Sequence, residues 1–334
     1  MIVTTTSVPR FAGTLLLTLI LALTATWGGL ALWYRAAGST AGRGAWVVLW
    51  SLFSVSMLTL LWREPFAPGT LGFLAGFAVM MVWWTRLRPT HDSVWSDDVA
   101  RMTRGTIAGD HVTLENVRNF DWRTQSDYTP RWETRGYDLG ALTSVDMIMS
   151  YWRGPAIAHM LISFGFTDGS HVAFSVEIRR RKTQTFSEIG GFFKEFELSI
   201  IAADERDVIR LRTNVRGEDV YLYRMRLPPS AMRLLFLGYV GEANRLVNSP
   251  RFYNTITVNC TTLVYQMMRR IVGHLPLDYR LLFSGYMPEY VYDVGGLTQG
   301  LPLEELRTLG RITERARESD RSPSFSADVR RGVP

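Results

Sequence analysis

The chain has 334 residues, of which 47% are hydrophobic and 20% are charged. This balance excludes an intrinsically disordered chain, which combines low hydrophobicity with high net charge, and the single cysteine excludes a disulfide scaffold. At about 150 residues per domain, the length suggests two structural units. The net charge of +6 rests almost entirely on arginine, since Lys182 and Lys194 are the only lysines. We do not interpret this bias as nucleic-acid binding, and no nucleic-acid partner is predicted.

Residues 1–90 are predicted to form a membrane region with three helices. Uncharged runs cover residues 11–34, 44–62 and 66–85, and each approaches the ~20 apolar residues that cross ~30 Å of hydrocarbon. Tryptophans, which favour membrane interfaces, stand towards the run ends: Trp33, Trp46, Trp62, Trp83 and Trp84. Buried helices of a soluble protein, or a cleaved signal peptide for the first run, are the alternatives. The absence of charge and the length of the first run favour membrane spans.

The distribution of arginines bears on the orientation of the chain in the membrane. Three spans place the N-terminus and the C-terminal domain on opposite sides. One side carries Arg10 and Arg63, and the other carries Arg35, Arg43, Arg86 and Arg88. The positive-inside rule therefore favours a cytoplasmic C-terminal domain, by four arginines to two.

Residues 91–314 are predicted to form one globular α+β domain, followed by a disordered tail at 315–334. The segment 90–135 is predicted to be irregular. Apolar runs at 156–166 and 171–179 flank Asp168-Gly169, which predicts a β-hairpin. Further strands are expected at 199–212 and 219–226, and further helices at 228–247 and 260–273.

Cys260 is the first candidate for chemistry, because it stands at the predicted start of a helix. Unpaired amides and the positive end of the helix dipole lower the pKa of a thiol there. Its backbone amide and the nearby Asn259 and Tyr253 are candidates to support an oxyanion. The alternative is a small buried hydrophobic residue with no chemistry.

His159 is the candidate base, because it lies inside an apolar strand where an imidazole is unusual. Pairing across the Asp168-Gly169 turn joins residues whose numbers sum to about 336–337, which places His159 opposite Glu177 or Ile178. A Glu177 carboxylate there would orient the imidazole, as in a nucleophile–base–orienter triad. His171 is the alternative third member.

The basic and acidic clusters carry weaker predictions. Arg179 and Arg181 are candidates for contacts with lipid phosphates, with a solvated basic edge as the alternative. The cluster Asp204-Glu205-Arg206-Asp207 is interpreted as a structural salt-bridge network with Arg206 and Arg210. No metal site and no cofactor are predicted.

Several of these segments together resemble a known family. The segment Tyr253-Asn-Thr-Ile-Thr-Val-Asn259-Cys260-Thr-Thr and the segment from His159 to Gly169 resemble the Lnb-type N-terminal periplasmic domain. Shorter matches stand at 175–179, 204–207 and 220–223. The resemblance covers roughly residues 115–295. It implies a circularly permuted papain-like fold of the NlpC-superfamily type, in which histidine precedes cysteine.

The resemblance also implies a function and a location. A member of that family is a bacterial lipoprotein N-acyltransferase, so the expected activity moves an acyl chain from phospholipid through Cys260 to a lipoprotein amine. It implies an inner-membrane protein with a periplasmic domain, against the arginine count. The lecithin:retinol acyltransferase group has the same permuted order but a His-x11-His spacing, which His159 and His171 share. A cysteine peptidase or amidase and a non-catalytic membrane scaffold are the alternatives.

Overall fold

A computed structural model describes residues 7–63 and 67–334. They form two compact units. The first contains the N-terminal helices as far as Pro89 together with Ser187–Glu195, and the second contains Thr90–Phe186 and Phe196–Pro334. The third predicted span begins at Phe66, which lies outside the described residues.

The first unit contains three helices that are long and apolar enough to span a membrane. They are α1 (Ser7–Arg35), α2 (Thr40–Leu61) and α3 (Ala67–Arg86). Glycine permits the close approach of α2 and α3, because a Cβ on Gly69 would lie 2.6 Å from the backbone nitrogen of Leu61. Small residues commonly serve this purpose where membrane helices pack.

The second unit is built on a mostly antiparallel sheet with helices on both faces, which is an α+β arrangement. In the described part of the chain the strands are β1 (Arg104–Ala108), β2 (His111–Arg118), β3 (Asp121–Trp122), β4 (Tyr128–Thr129), β5 (Trp132–Asp138), β6 (Leu142–Tyr151), β7 (Ala158–Phe166), β8 (His171–Arg179), β9 (Glu197–Ala203) and β10 (Asp219–Arg224). The main sheet has the order β1-β2-β9-β8-β7-β6-β10, and β5 pairs with β2.

Seven helices accompany this sheet. They are α4 (Glu205–Arg210), α5 (Pro229–Asn248), α6 (Thr262–Val272), α7 (Met287–Asp293), α8 (Leu303–Gly310), α9 (Thr313–Glu318) and α10 (Phe325–Val329). Helices α5 and α6 share one apolar core with the even-numbered residues of β7, whereas α4, α9 and α10 pack on the opposite face with Leu161. Alternate strand residues therefore enter different cores.

Two predicted segments differ from the structure. Residues 90–135, predicted to be irregular, contain β1, β2 and part of β5, which extend the main sheet at one edge, and β3 and β4, which form a separate two-stranded sheet. The predicted strand 199–212 is instead β9 followed by α4. Asp204 ends the strand because its carboxylate accepts a hydrogen bond from the Arg206 amide and caps the helix.

The C-terminal tail also differs from its prediction. Residues 315–334 were predicted to be disordered, yet this segment includes α10, and Phe325 and Val329 are buried in the core. Arg330 donates hydrogen bonds to the buried carboxylates of Glu205 and Asp146, at 2.6 Å and 2.9 Å. The acidic cluster thus pairs with a distant arginine, which a local sequence pattern does not reveal.

The rest of that cluster has other partners as well. Asp207 accepts hydrogen bonds from the buried guanidinium of Arg118, at 2.9 Å. Asp204 forms an ion pair with Arg135, at 2.7 Å. The cluster is a structural ion-pair network, but Arg206 and Arg210 are not the cations that hold Glu205 and Asp207.

We expect Arg330→Met to destabilise the second unit by about 3–5 kcal/mol, because removing one partner of a buried ion pair leaves an uncompensated charge. The measurement is the midpoint of urea-induced unfolding in detergent, followed by pulse proteolysis. Arg331→Met is the matched control, since this exposed side chain pairs with Asp328 at the surface and surface pairs contribute about 0–1 kcal/mol. Equal midpoints for the two variants would contradict the proposed role of the tail.

Candidate active site

The β7–β8 hairpin determines which residues stand beside His159. Paired residues in this hairpin sum to 336, from Gly165 opposite His171 to Leu161 opposite Ser175, within the predicted range. Gly169 occupies the turn with φ +82°, a conformation that glycine adopts without strain. Continuing the register by two residues aligns His159 with Glu177.

A serine hydroxyl links the imidazole to the carboxylate. His159 Nε2 lies 2.7 Å from Ser175 Oγ, and this hydroxyl donates to Glu177 Oε1 at 2.6 Å. Nε2 also lies 3.3 Å from Glu177 Oε1. Because the serine proton is committed to Glu177, Nε2 is the donor to Ser175. This arrangement leaves Nδ1 as the basic nitrogen of the neutral ring.

A buried arginine holds the carboxylate from behind. Arg212 Nη2 donates to Glu177 Oε1 at 3.2 Å, and the Arg212 side chain is only 4% exposed. Arg212 belongs to a π-helical turn, Leu211–Val215, that follows α4. Such turns are rare and often occur at functional sites.

Cys260 lies in the turn that precedes α6, and its neighbour shapes that turn. The Asn259 side-chain oxygen accepts hydrogen bonds from the Thr261 and Thr262 amides, at 2.9 Å and 2.8 Å. Asn259 therefore caps the helix, which begins at Thr262 rather than at the predicted Cys260. The thiol lies beside His159 and the Met160 backbone, and both lower its pKa.

The electrostatics of the site favour a charged pair. Burial disfavours the imidazolium, but Glu177 and the hydrogen bond with Cys260 raise the pKa of His159 to about 9, although Arg212 acts in the opposite direction. Burial also disfavours a thiolate, yet His159 and the Met160 backbone lower the pKa of Cys260 below that of an ordinary thiol. The resting site is therefore best described as thiolate and imidazolium.

Glu177 is ionised in this arrangement. Burial alone would raise its pKa, but His159, Arg212 and Ser175 hold the pKa of the Glu177 carboxyl well below its ordinary value. The His159 and Glu177 side chains keep 16% and 21% of their exposure, and Cys260 keeps 8%. The site therefore opens to solvent on the imidazole side.

Two donors are suited to an oxyanion beside the thiol. Within residues 7–63 and 67–334, the Cys260 backbone amide has no hydrogen-bond acceptor. Burial, followed by the nearby charges of Cys260 and Glu177, raises the pKa of Tyr253, so its hydroxyl keeps its proton as a donor. The Asn259 amide instead donates to Thr255 O at 2.6 Å.

Comparison with known proteins identifies the family of this region. Residues 128–285 match the model of the Lnb N-terminal periplasmic domain. This segment, just under half of the chain, is similar to that family. It includes β7, β8 and the Cys260 turn, and therefore contains all the residues of the site described above. No curated protein and no solved structure matches the chain.

His171 lies at the opposite end of the β7–β8 hairpin from His159. His171 stands at the turn end of β8, where its Nδ1 lies 3.0 Å from the Gly169 carbonyl oxygen. Ser175 and Glu177, on the same face of β8, occupy the positions next to His159. Among the described residues no cluster of potential metal ligands is found.

Arg179 and Arg181, which were predicted to contact lipid phosphates, interact with other groups of the protein in the structure. Arg179 is buried, donates to the carbonyl oxygens of Val99 and Ala100 and lies 4.3 Å from the Trp95 ring centre. Its guanidinium is committed to the interior and cannot meet a lipid headgroup. Arg181 remains partly exposed but pairs with Glu197 at 3.2 Å.

Sequence reasoning missed Ser175 and Arg212. A signal for Ser175 was present, because residues two apart on a strand share a face and Ser175 is two before Glu177. Arg212 gave no such signal, since its approach to Glu177 depends on how α4 packs against the sheet. The complete site thus has five side chains where the sequence indicated three: Cys260, His159, Ser175, Glu177 and Arg212.

We expect His159→Ala to slow iodoacetamide alkylation of Cys260 at pH 7 by about 10- to 30-fold, because an ordinary thiol with a pKa of about 8.5 is only slightly ionised there. The single cysteine makes mass spectrometry of the modified peptide specific. In the unmodified chain His159 lowers the pKa of Cys260, and this effect is lost as the pH rises through about 9, where the imidazolium loses its proton. His171→Ala is the matched control, and an equal loss in both variants would contradict the pairing.

Ser175→Ala removes the hydroxyl link but leaves the direct approach of Glu177 to His159. A single hydrogen bond contributes about 0.5–1.5 kcal/mol, so we expect alkylation at pH 7 to slow by about 2- to 13-fold. Ser163→Ala is the matched control, because this buried serine on β7 donates to Glu205 at 2.5 Å instead. If Ser175→Ala leaves the alkylation rate unchanged, the Ser175 hydroxyl does not contribute to the interaction between His159 and Glu177.

Proposed function

We propose that the chain is a membrane-tethered thiol acyltransferase. It would move an acyl chain from phospholipid, through a thioester on Cys260, to an amine at the N-terminus of a lipoprotein. The observation that carries the proposal is the pairing of Cys260 with His159, which shifts the pKa of both groups towards their charged forms, in a segment that matches the Lnb N-terminal periplasmic domain. The chain of contacts from His159 to Glu177 and Arg212 supports it.

The first half-reaction forms the thioester. The Cys260 thiolate attacks the ester carbonyl carbon of the phospholipid, which forms a C–S bond and places a negative charge on the carbonyl oxygen. The Cys260 amide and the Tyr253 hydroxyl would donate to that oxyanion. The intermediate then breaks its C–O bond, and the His159 imidazolium gives its proton to the departing lysophospholipid alkoxide.

The second half-reaction transfers the acyl chain to the amine. The amine attacks the thioester carbonyl, and neutral His159 accepts a proton from the attacking nitrogen. Breaking the C–S bond releases the amide product and restores thiolate and imidazolium. Groups of the chain itself supply every proton transfer, and Glu177 remains ionised throughout.

The membrane region suits such an acyl donor. Each buried methylene stabilises an acyl chain in lipid by about 0.8 kcal/mol, so a phospholipid seldom leaves the bilayer. Three apolar helices and a periplasmic-domain family indicate an inner-membrane protein. We place the catalytic domain in the periplasm, following the family rather than the arginine count.

The permuted papain-like fold belongs to the same proposal. His159 precedes Cys260 in the chain, Cys260 directly precedes a helix, and His159 lies on an adjacent antiparallel sheet. These are the relations that a permuted thiol fold requires. The same thiol would serve a peptidase or amidase if water, rather than an amine, attacked the thioester.

The test uses the full chain in phospholipid vesicles with a synthetic diacylglyceryl-cysteine peptide that has a free N-terminal amine. We expect acylated Cys260 and N-acylated peptide by mass spectrometry, and at least a 100-fold loss in Cys260→Ser, because a nucleophile is removed. Activity should also fall as the pH rises through about 9, since the imidazolium that protonates the alkoxide is lost.

His171→Ala is the matched control and should retain activity. Release of free fatty acid without N-acylated peptide would replace the transferase with a hydrolase. Full turnover by Cys260→Ser would reject both enzymes, and a Cys260 without any acyl adduct in the unmodified chain would favour the membrane scaffold.

A further inference from the structure

The segment Ser187–Glu195 joins β8 to β9 along the chain but belongs to the compact unit of the apolar helices. Two of its apolar side chains, Ile189 and Phe192, are 53% and 40% exposed. Exposed single hydrophobic residues are common on soluble surfaces. The packing partners of the segment are therefore needed to determine whether Ile189 and Phe192 face water or lipid.

The segment packs against the C-terminal part of α1, where its partners are the aromatic residues Tyr34 and Trp27. Phe193 stacks on Tyr34 with ring centres 5.7 Å apart, and Ser187 Oγ lies 3.2 Å from the Tyr34 hydroxyl. Phe193 also contacts Trp27, with ring centres 6.2 Å apart. Trp27 is eight residues before the helix end at Arg35, which corresponds to about 12 Å along the axis. Phe193 therefore extends along α1 from its C-terminal end towards the middle of the span.

The same segment is fixed to α3. Lys194 Nζ donates to the Trp84 carbonyl oxygen at 2.8 Å and lies 4.5 Å from the centre of the Trp84 ring. Lys194 has φ +55°, a region uncommon for residues other than glycine. A lysine at the end of a span whose stem lies along apolar surface is typical of the membrane interface.

Internal contacts give the segment a defined shape. The Gly190 amide donates to Ser187 Oγ at 2.9 Å, and the Phe193 amide donates to the Gly190 carbonyl at 2.9 Å. Gly190 leaves no room for a Cβ atom, because the Glu195 carboxylate occupies that space.

We propose that Ser187–Glu195 is a membrane-inserted loop whose Ile189 and Phe192 side chains contact phospholipid acyl chains just below the headgroups. Continuity with the ends of α1 and α3 selects the bilayer as its partner, because the loop is anchored to interfacial aromatic residues of two spans. The side chain of Lys194 is of the type that interacts with the anionic phosphates of lipid headgroups. The inference stands independently of any catalysis by Cys260.

The test measures the depth of a fluorophore in phospholipid nanodiscs. Cys260→Ser supplies a background without thiols, and Ile189→Cys or Phe192→Cys is then labelled with a nitrobenzoxadiazole group. Leu52→Cys, exposed on α2, is the membrane reference, and Ser126→Cys, exposed in the β3–β4 turn, is the aqueous reference.

We expect labels at 189 and 192 to be quenched by nitroxides near the acyl carbonyl at least twofold more than the label at 126, and to be shielded from iodide. Iodide quenching at both positions equal to that at 126 would overturn the inserted loop. Because the background lacks the thiol, failure here leaves the proposed acyl transfer untouched, and failure of acyl transfer leaves the loop untouched.

Discussion

The site depends on keeping an imidazolium beside a thiolate in surroundings that disfavour both charges. Burial acts against each partner, so their mutual attraction must be reinforced from elsewhere. Glu177 supplies the reinforcement, and Arg212 keeps that carboxylate ionised. Each unit of pKa shift corresponds to about 1.36 kcal/mol. The protonation state of the Cys260 thiol therefore depends on Glu177 and Arg212, which act on it through His159.

The sheet makes this arrangement possible by separating two strands. Pairing between β7 and β8 ends at Leu161 and Ser175, whereas β8 continues to pair with β9 as far as Arg179. Cys260 belongs to the core on one face of the sheet, and Leu161 belongs to the core on the other. The Met160 backbone bonds the sulfur where the strands separate. The thiol thus meets an imidazole whose orienting groups lie on the opposite face.

The sequence was informative wherever local rules apply. The Asp168-Gly169 turn and the pairing of antiparallel strands limited the residue opposite His159 to Glu177 or Ile178. Arg212 could not be found in this way, because its contact spans 35 residues and depends on the packing of α4. Residues 315–334 were misjudged for a similar reason: their composition is polar, but Arg330 neutralises carboxylates that are buried far away in the chain. When a segment is ordered by ion pairs with distant residues, its composition alone does not indicate that order.

The two compact units share more than one covalent connection, and this bears on how the thiol would meet a lipid. The chain enters the globular unit after Pro89, returns to the helical unit at Ser187–Glu195, and re-enters the globular unit at Phe196. The returning segment lies between β8, the strand that carries Ser175 and Glu177, and β9. In the proposed acyl transfer the donor stays in the bilayer, so these crossings tie the unit that carries the thiol to the apolar helices of the membrane in which its donor lies.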